Sequence, residues 1–207
     1  MKLYYSPGVS SLAAHIVAKE GRIPLELVKV DLKTHRTESG EDFLGINPRG
    51  YVPALKLNDG ELLTEGTVIL EWLADEAPSA SLMPTDTMAR HRVRQWLAFI
   101  ATELHKQCFY ARAEMGPDTS TIARGKITRR LAEVNERLGR TPFLAGESFT
   151  VADAYLFTIM SWMPRFEVDL SAYPHLKAFA ACMLERPAVR EALTQEGLLG
   201  ALIDRLN

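Results

Sequence analysis

No apolar run in the chain approaches the roughly 20 residues needed to cross a bilayer, and the opening MKLYYSPGVSS lacks the long apolar stretch of an export signal. The sequence is therefore expected neither to span a membrane nor to be carried across one. Cysteine is scarce. Cys108 and Cys182 stand far apart in helical surroundings and give no disulfide framework, so a reducing, cytoplasmic setting is expected. Positive charge is not in excess either: a formal net charge of −2 gives no reason to expect nucleic acid or an anionic membrane as partner. There is no internal repeat and no low-complexity tract, and no metal site is expected. What remains is a globular composition, 47% hydrophobic and 24% charged over 207 residues, enough to bury one large core or two modest ones.

The first third alternates between two hydrophobic periods. Residues 2–5 read as a short apolar strand stopped by Pro7-Gly8, and Ser10 or Ser11 can cap a helix whose Leu12, Ile16 and Val17 recur at helical spacing before Gly21. Residues 25–32 alternate as a second strand, and 33–48 are polar, with one weak helical turn at 41–46. The step Asn58-Asp59-Gly60 between apolar runs at 54–57 and 61–63 signals a hairpin. A helix opening at Thr64 is expected to carry Val68, Ile69, Trp72 and Leu73 on one face. The resulting order, β-α-β-α-β-β-α, is that of a thioredoxin-like α/β domain, placed at residues 1–77. Residues 77–84, with two prolines and two serines, read as a linker. All that follows is helical, with segments at 86–114, 121–138, 151–163, 173–185 and 188–196, giving an all-α domain over residues 86–207.

Several positions combine residue types that suit the binding of a small charged peptide. Val52-Pro53 precedes the third strand; a proline there can simply start a strand. In thioredoxin-like folds a cis-proline at this point turns the backbone N–H and C=O of the preceding residue toward an extended peptide. Glu65-Gly66 opens a helix, where an acid is favourable in any case. It could equally accept an ammonium group while free amides near Gly66 hold a carboxylate. His105 and Lys106 lie on the long helix, where a lone histidine is usually structural. Cys108 and Cys182 read as buried small hydrophobes. Thr150 and Asp153 form a capping box whose role is structural. Ser10 and Ser11 are helix caps or, alternatively, hydroxyl donors that could stabilise a bound thiolate.

Together the stretches MKLYYSPGVSSLAAHI, NPRGYVPAL, LLTEGTVILEWLAD, IATELHK and FTVADAYLF resemble a bacterial glutathione transferase, most similar to the beta class. The resemblance implies a glutathione transferase fold and a homodimer that conjugates the glutathione thiolate to small hydrophobic electrophiles. By the same resemblance Val52 with cis-Pro53 would bind the cysteinyl backbone, Glu65 and Gly66 the γ-glutamyl group, and His105 would lie near the sulfur. Lys106 would approach the glycyl carboxylate. Three positions depart from the class: Ser10 replaces its cysteine, His35 its lysine after the second strand, and Ala98 its asparagine on the long helix. A hydroxyl cannot form a mixed disulfide, so cysteine-dependent reductase chemistry is expected to be lost. Ser10, with Ser11 as the fallback, would instead donate to the thiolate. The competing expectations are a ligand-carrying or regulatory protein of the same fold, and a glutathione-dependent dehalogenase, isomerase or peroxidase. The electrophile pocket is expected between Pro7-Gly8-Val9 and residues such as Phe109, Arg112, Trp162 and Arg165.

Overall fold

The computed structural model describes residues 1–206, the side chains of the last two of these excepted. Asn207, the end of the expected helical domain, lies outside the described residues. Strand β1 (Lys2–Tyr5) pairs in parallel with β2 (Glu26–Asp31) and antiparallel with β4 (Ala54–Lys56). β5 (Leu62–Leu63) closes one edge of the sheet and β3 (Arg36–Thr37) the other, in the order β3-β2-β1-β4-β5. Residues alternate between the two faces as strand geometry requires. Leu3, Tyr5 and Leu55 pack toward helices α1 (Ser11–Glu20) and α3 (Gly66–Glu76), whereas Tyr4, Val30 and Ala54 meet Phe43 of the short helix α2 (Phe43–Ile46) on the opposite face. The sheet and its helices form the thioredoxin-like layer arrangement.

The strand at Arg36–Thr37 was not among the expected elements; two residues carry no period, and it exists because Thr37 pairs with Val30 and Arg36 with Asp31. On α3 the buried face is Ile69, Leu70, Leu73 and Ala74, while Val68, expected inside, is 51% exposed.

Helices fill the rest of the described chain from Thr87 on: α4 (Thr87–Phe99), α5 (Lys106–Tyr110), α6 (Pro117–Leu138), α7 (Val151–Met160), α8 (Pro174–Glu185), α9 (Pro187–Gln195) and α10 (Leu199–Leu206). The expected helix at 86–114 is not uniform, because Ile100–His105 between α4 and α5 is a π-helical turn. Every residue of α7 is buried, its few polar side chains, Asp153, Tyr155 and Thr158, each hydrogen-bonded, and it packs against α1 of the sheet domain. Its start is the expected capping box: the Thr150 N–H and hydroxyl donate to Asp153 at 2.8 and 2.9 Å, and the Leu144 N–H adds a third bond at 2.8 Å. Cys108 is buried, but Cys182 is exposed on the outer face of α8, which corrects the expectation that it lies in the core.

Candidate active site

The loop between β1 and α1 carries both candidate serines and separates them. Ser11 is fully buried, and its Oγ both donates to the Ser6 C=O and accepts from the Ser6 N–H at 3.2 Å, which ties the loop to itself. Ser10 stands at the helix N-cap, yet its side chain makes no cap bond. Its hydroxyl instead donates to the Val52 C=O at 3.1 Å, across 42 positions of sequence. The Val52-Pro53 bond is cis. The turn before it is braced by Asn47, whose side chain donates to the Tyr51 C=O at 2.8 Å and accepts from the Arg49 N–H at 3.2 Å.

Glu65 and Gly66 join this cluster at the start of α3. A Cβ built on Gly66 would stand 3.7 Å from Pro53 Cγ, an ordinary contact. The helix ladder begins only at the bond from the Ile69 N–H to the Glu65 C=O, 3.0 Å, so the amides of Gly66, Thr67 and Val68 precede it and point out of the helix end. Glu65 has φ +68° and ψ 113°, a backbone conformation that disfavours a side chain by about 1–3 kcal/mol. Its carboxylate is exposed and accepts from Arg49 Nη1 at 2.8 Å. His35 also has positive φ, +52°, and its ring stands so close to Gly50 that a Cβ there would lie 2.7 Å from Cε1. Its Nδ1 is buried there without a hydrogen-bond partner.

His105 closes the π turn, a helical irregularity common at functional sites. Its Nδ1 lies 2.6 Å from the Tyr155 hydroxyl of α7. Tyr155 is 5% exposed and has no other hydrogen-bond partner among the described residues, so its O–H proton goes to Nδ1. That fixes the tautomer with the proton on Nε2. Burial, reinforced by the positive charges of Lys106 and Arg112, holds the His105 pKa down to about 4, so the ring is neutral at neutral pH. Burial also pushes the Cys108 thiol up to about 12, which leaves it unionised and unreactive. The His105 ring meets Trp162 edge to face at 5.0 Å, and the Trp162 indole donates to the Gly8 C=O at 2.7 Å. The Gly8 N–H in turn donates to Glu196 at 2.8 Å, and the other oxygen of Glu196 pairs with His15 of α1 at 3.0 Å. Both polar groups of the Gly8 peptide are thus held from the helical half, two residues before Ser10.

The family described as glutathione S-transferase, N-terminal domain, matches residues 10–76, and that described as glutathione S-transferase, C-terminal domain, matches residues 93–187. The chain is 42% identical to glutathione S-transferase GstA of Escherichia coli O157:H7, covering 96% of this chain and 100% of the relative. The chain belongs to the glutathione S-transferase family. Among solved structures, a beta-class glutathione S-transferase of Sphingomonas chungbukensis superposes with a TM-score of 0.91 at 41% identity, over 96% of this chain and 100% of that one. A sphingomonad glutathione S-transferase complexed with glutathione superposes with a TM-score of 0.92 at 40% identity, over the same shares. The transferase is thus an enzyme of bacterial beta-class likeness with serine at position 10.

Of the residues singled out from the sequence, the transferase fold brings Ser10, Val52, Pro53, Glu65 and Gly66 into one patch. His105 reaches the same loop through Trp162 and Gly8. His35 stands behind Gly50, and Ala98 is exposed on α4. Lys106 is exposed with its Nζ 5.0 Å from the centroid of Phe109. Sequence reasoning missed Tyr155, Arg49, Glu196 and His15. FTVADAYLF contained Tyr155, but nothing local marked its hydroxyl. No group of three His, Cys, Asp or Glu side chains able to hold a metal occurs among the described residues. No described helix is long and apolar enough to cross a membrane.

Proposed function

We propose that the enzyme binds glutathione at this patch and conjugates its thiolate to a small electrophile, with the Ser10 hydroxyl as the principal donor to sulfur. The observation that carries the reading is the 3.1 Å bond from Ser10 to the Val52 C=O beside cis-Pro53. Val52 presents the N–H and C=O that would pair with the cysteinyl residue, so the hydroxyl hangs one side-chain rotation from the cysteinyl sulfur. Glu65 would accept the γ-glutamyl ammonium, displacing Arg49, while the amides from Gly66 onward hold its carboxylate. His35 and Lys106 would face the glycyl carboxylate. Glutathione is the co-substrate in this scheme, and no metal is required.

The hydroxyl favours the ionised sulfur for a simple reason. A hydrogen bond to a charged acceptor is roughly twice as strong as one to a neutral carbonyl. While the thiol is neutral, Ser10 keeps its bond to Val52; once the proton leaves, the hydroxyl turns to sulfur. The net gain of about 1.4 kcal/mol corresponds to one pKa step. His105, neutral and with its proton fixed on Nε2, supplies a second uncharged donor on the other side. In the conjugation the thiol proton passes to solvent, sulfur forms its bond to carbon, and the leaving group departs with the electron pair. The single donor proton of Ser11, which is fully buried, is committed to the Ser6 C=O, so Ser11 is not needed.

The apolar side chains of Tyr51, Val68 and Met88, 74%, 51% and 61% exposed, support the homodimer that the family resemblance implies. A reduced, cytoplasmic compartment suits a thiol-dependent enzyme. The test is Ser10→Ala. Titrating the ultraviolet absorbance of bound glutathione thiolate should show its pKa raised by about one, and turnover below that pKa reduced about ten-fold, with glutathione affinity nearly unchanged. An unchanged thiolate pKa would move the role to His105.

A further inference from the structure

The scheme above gives Arg112 and Arg165 nothing to do. Both are exposed, and neither has an acidic partner among the described residues. Several arginines on the helices are held otherwise: Arg90, Arg94, Arg130 and Arg186 are each paired with carboxylates at the surface or between elements. Arg112 lies with its guanidinium 5.2 Å from the centroid of Phe109, and Phe109 is itself 42% exposed. Arg165 follows Trp162 and places a guanidinium nitrogen 3.7 Å from where a Cβ on Gly8 would stand. The two cations therefore come from the two segments that the His105–Trp162 contact joins, and Arg165 borders the loop that carries Ser10. The positive charge of Arg112 is felt at the His105 ring. In a chain of net charge −2, this is a local concentration of unspent positive charge around the position assigned to the sulfur.

We propose that the preferred electrophile carries a carboxylate on a flat apolar body, the body resting against Phe109 and the carboxylate meeting Arg112 and Arg165. The inference rests on the transferase reading of the same site and adds the substrate's charge to it. A planar guanidinium fork suits a carboxylate by geometry, with two parallel N–H···O bonds. Opposite charge also raises the encounter rate of an anion with the rim. The chemistry is unchanged: with an aryl chloride, sulfur bonds to the ring carbon, the carbon–chlorine bond breaks, and chloride leaves with the electron pair.

The test compares chloronitrobenzoate with the neutral chloronitrobenzamide of the same substitution pattern. Each enzymatic kcat/KM is divided by the rate of the same compound with free glutathione thiolate, which removes their different intrinsic reactivity. The benzoate should then be favoured about ten-fold, and this ratio should shrink as salt is added. Arg112→Gln and Arg165→Gln should each reduce the ratio about five-fold. A ratio near one in the native enzyme, or one that neither substitution changes, overturns the proposal. So does a rise in KM for glutathione with no change in the ratio, which would assign the cations to the glycyl carboxylate. Quenching of tryptophan emission by the two compounds reads binding without turnover. If neither compound is conjugated, the transferase reading fails, while tighter quenching by the benzoate still supports an anion site and equal quenching removes it.

Discussion

Acid should weaken the fold of this transferase through His105, and a His105→Gln variant should escape that part of the loss. In the folded chain the ring takes up a proton only near pH 4, whereas its ordinary value, 6.5, applies once the chain unfolds. Above 6.5 neither state is protonated and His105 contributes nothing to pH dependence. Between 6.5 and 4 the unfolded state binds the extra proton, so stability falls as pH falls, and below 4 the loss is complete. At 1.36 kcal/mol for each pH step the full loss is about 3 kcal/mol. Glutamine keeps an oxygen that can accept from Tyr155 and cannot titrate. The assay is urea unfolding at fixed subunit concentration, from neutral pH down to about 4, followed by both circular dichroism and tryptophan emission to establish a single transition. The difference between native and variant stability should change by about 3 kcal/mol, in the variant's favour, as pH drops. A difference independent of pH would refute the assignment of a neutral, proton-poor ring.

Tyr155→Phe removes the proton that fixes the His105 tautomer. Turnover should fall several-fold with little change in KM for glutathione, and the ring's NMR titration should shift; an unaltered titration would mean the bond does not set the tautomer. Glu65→Gln should raise KM for glutathione by about ten-fold or more in steady-state kinetics, whereas Arg49→Ala should lower it modestly, because the ammonium no longer competes with a guanidinium. Gly50→Ala puts a Cβ 2.7 Å from His35 Cε1 at φ +67°, so the ring must move. Thermal unfolding should register about 1–2 kcal/mol of lost stability, and glutathione binding should weaken as well. Thr150→Ala should cost about 1 kcal/mol or somewhat more in urea unfolding. Asp153→Ala should cost over twice that, since it leaves the Leu144 and Thr150 amides unpaired in the core.

The parts of the fold legible in the sequence are those fixed by local rules. The strand at Lys2–Tyr5, the end of α1 at Gly21, the hairpin at Asp59-Gly60 and the capping box at Thr150 each follow from a pattern within a few residues. The π turn at Ile100–His105 does not, because one added residue barely disturbs an apolar spacing of three and four. Within the site, Val52-Pro53 and Glu65-Gly66 could be found because proline and a helix opening carry their own signals. The partners that aim them could not. Tyr155 meets His105 across 50 positions and Glu196 meets Gly8 across 188, and neither pairing leaves a trace in the sequence near either end. Ser10 and Ser11 show the same limit at close range: two adjacent hydroxyls look alike in sequence, and only the fold turns one toward Val52 and the other toward Ser6.

That small difference matters because burial near His105 works against the chemistry as much as for it. Desolvation is the first cause of the depressed His105 pKa, and desolvation disfavours any charged form, a thiolate included. The second cause, the positive charge of Lys106 and Arg112, acts on the two groups in opposite senses: it penalises an imidazolium and stabilises a thiolate. A sulfur placed beside His105 is therefore pushed toward the thiol by burial and toward the thiolate by the cations, which leaves direct donors to decide the balance. Ser10 is available for that role and Ser11 is not. If the cations alone were sufficient, Ser10→Ala would leave the bound thiol's pKa in place and Lys106→Ala would raise it. If the hydroxyl decides, Ser10→Ala raises the pKa by about one, and raising the salt concentration moves it little.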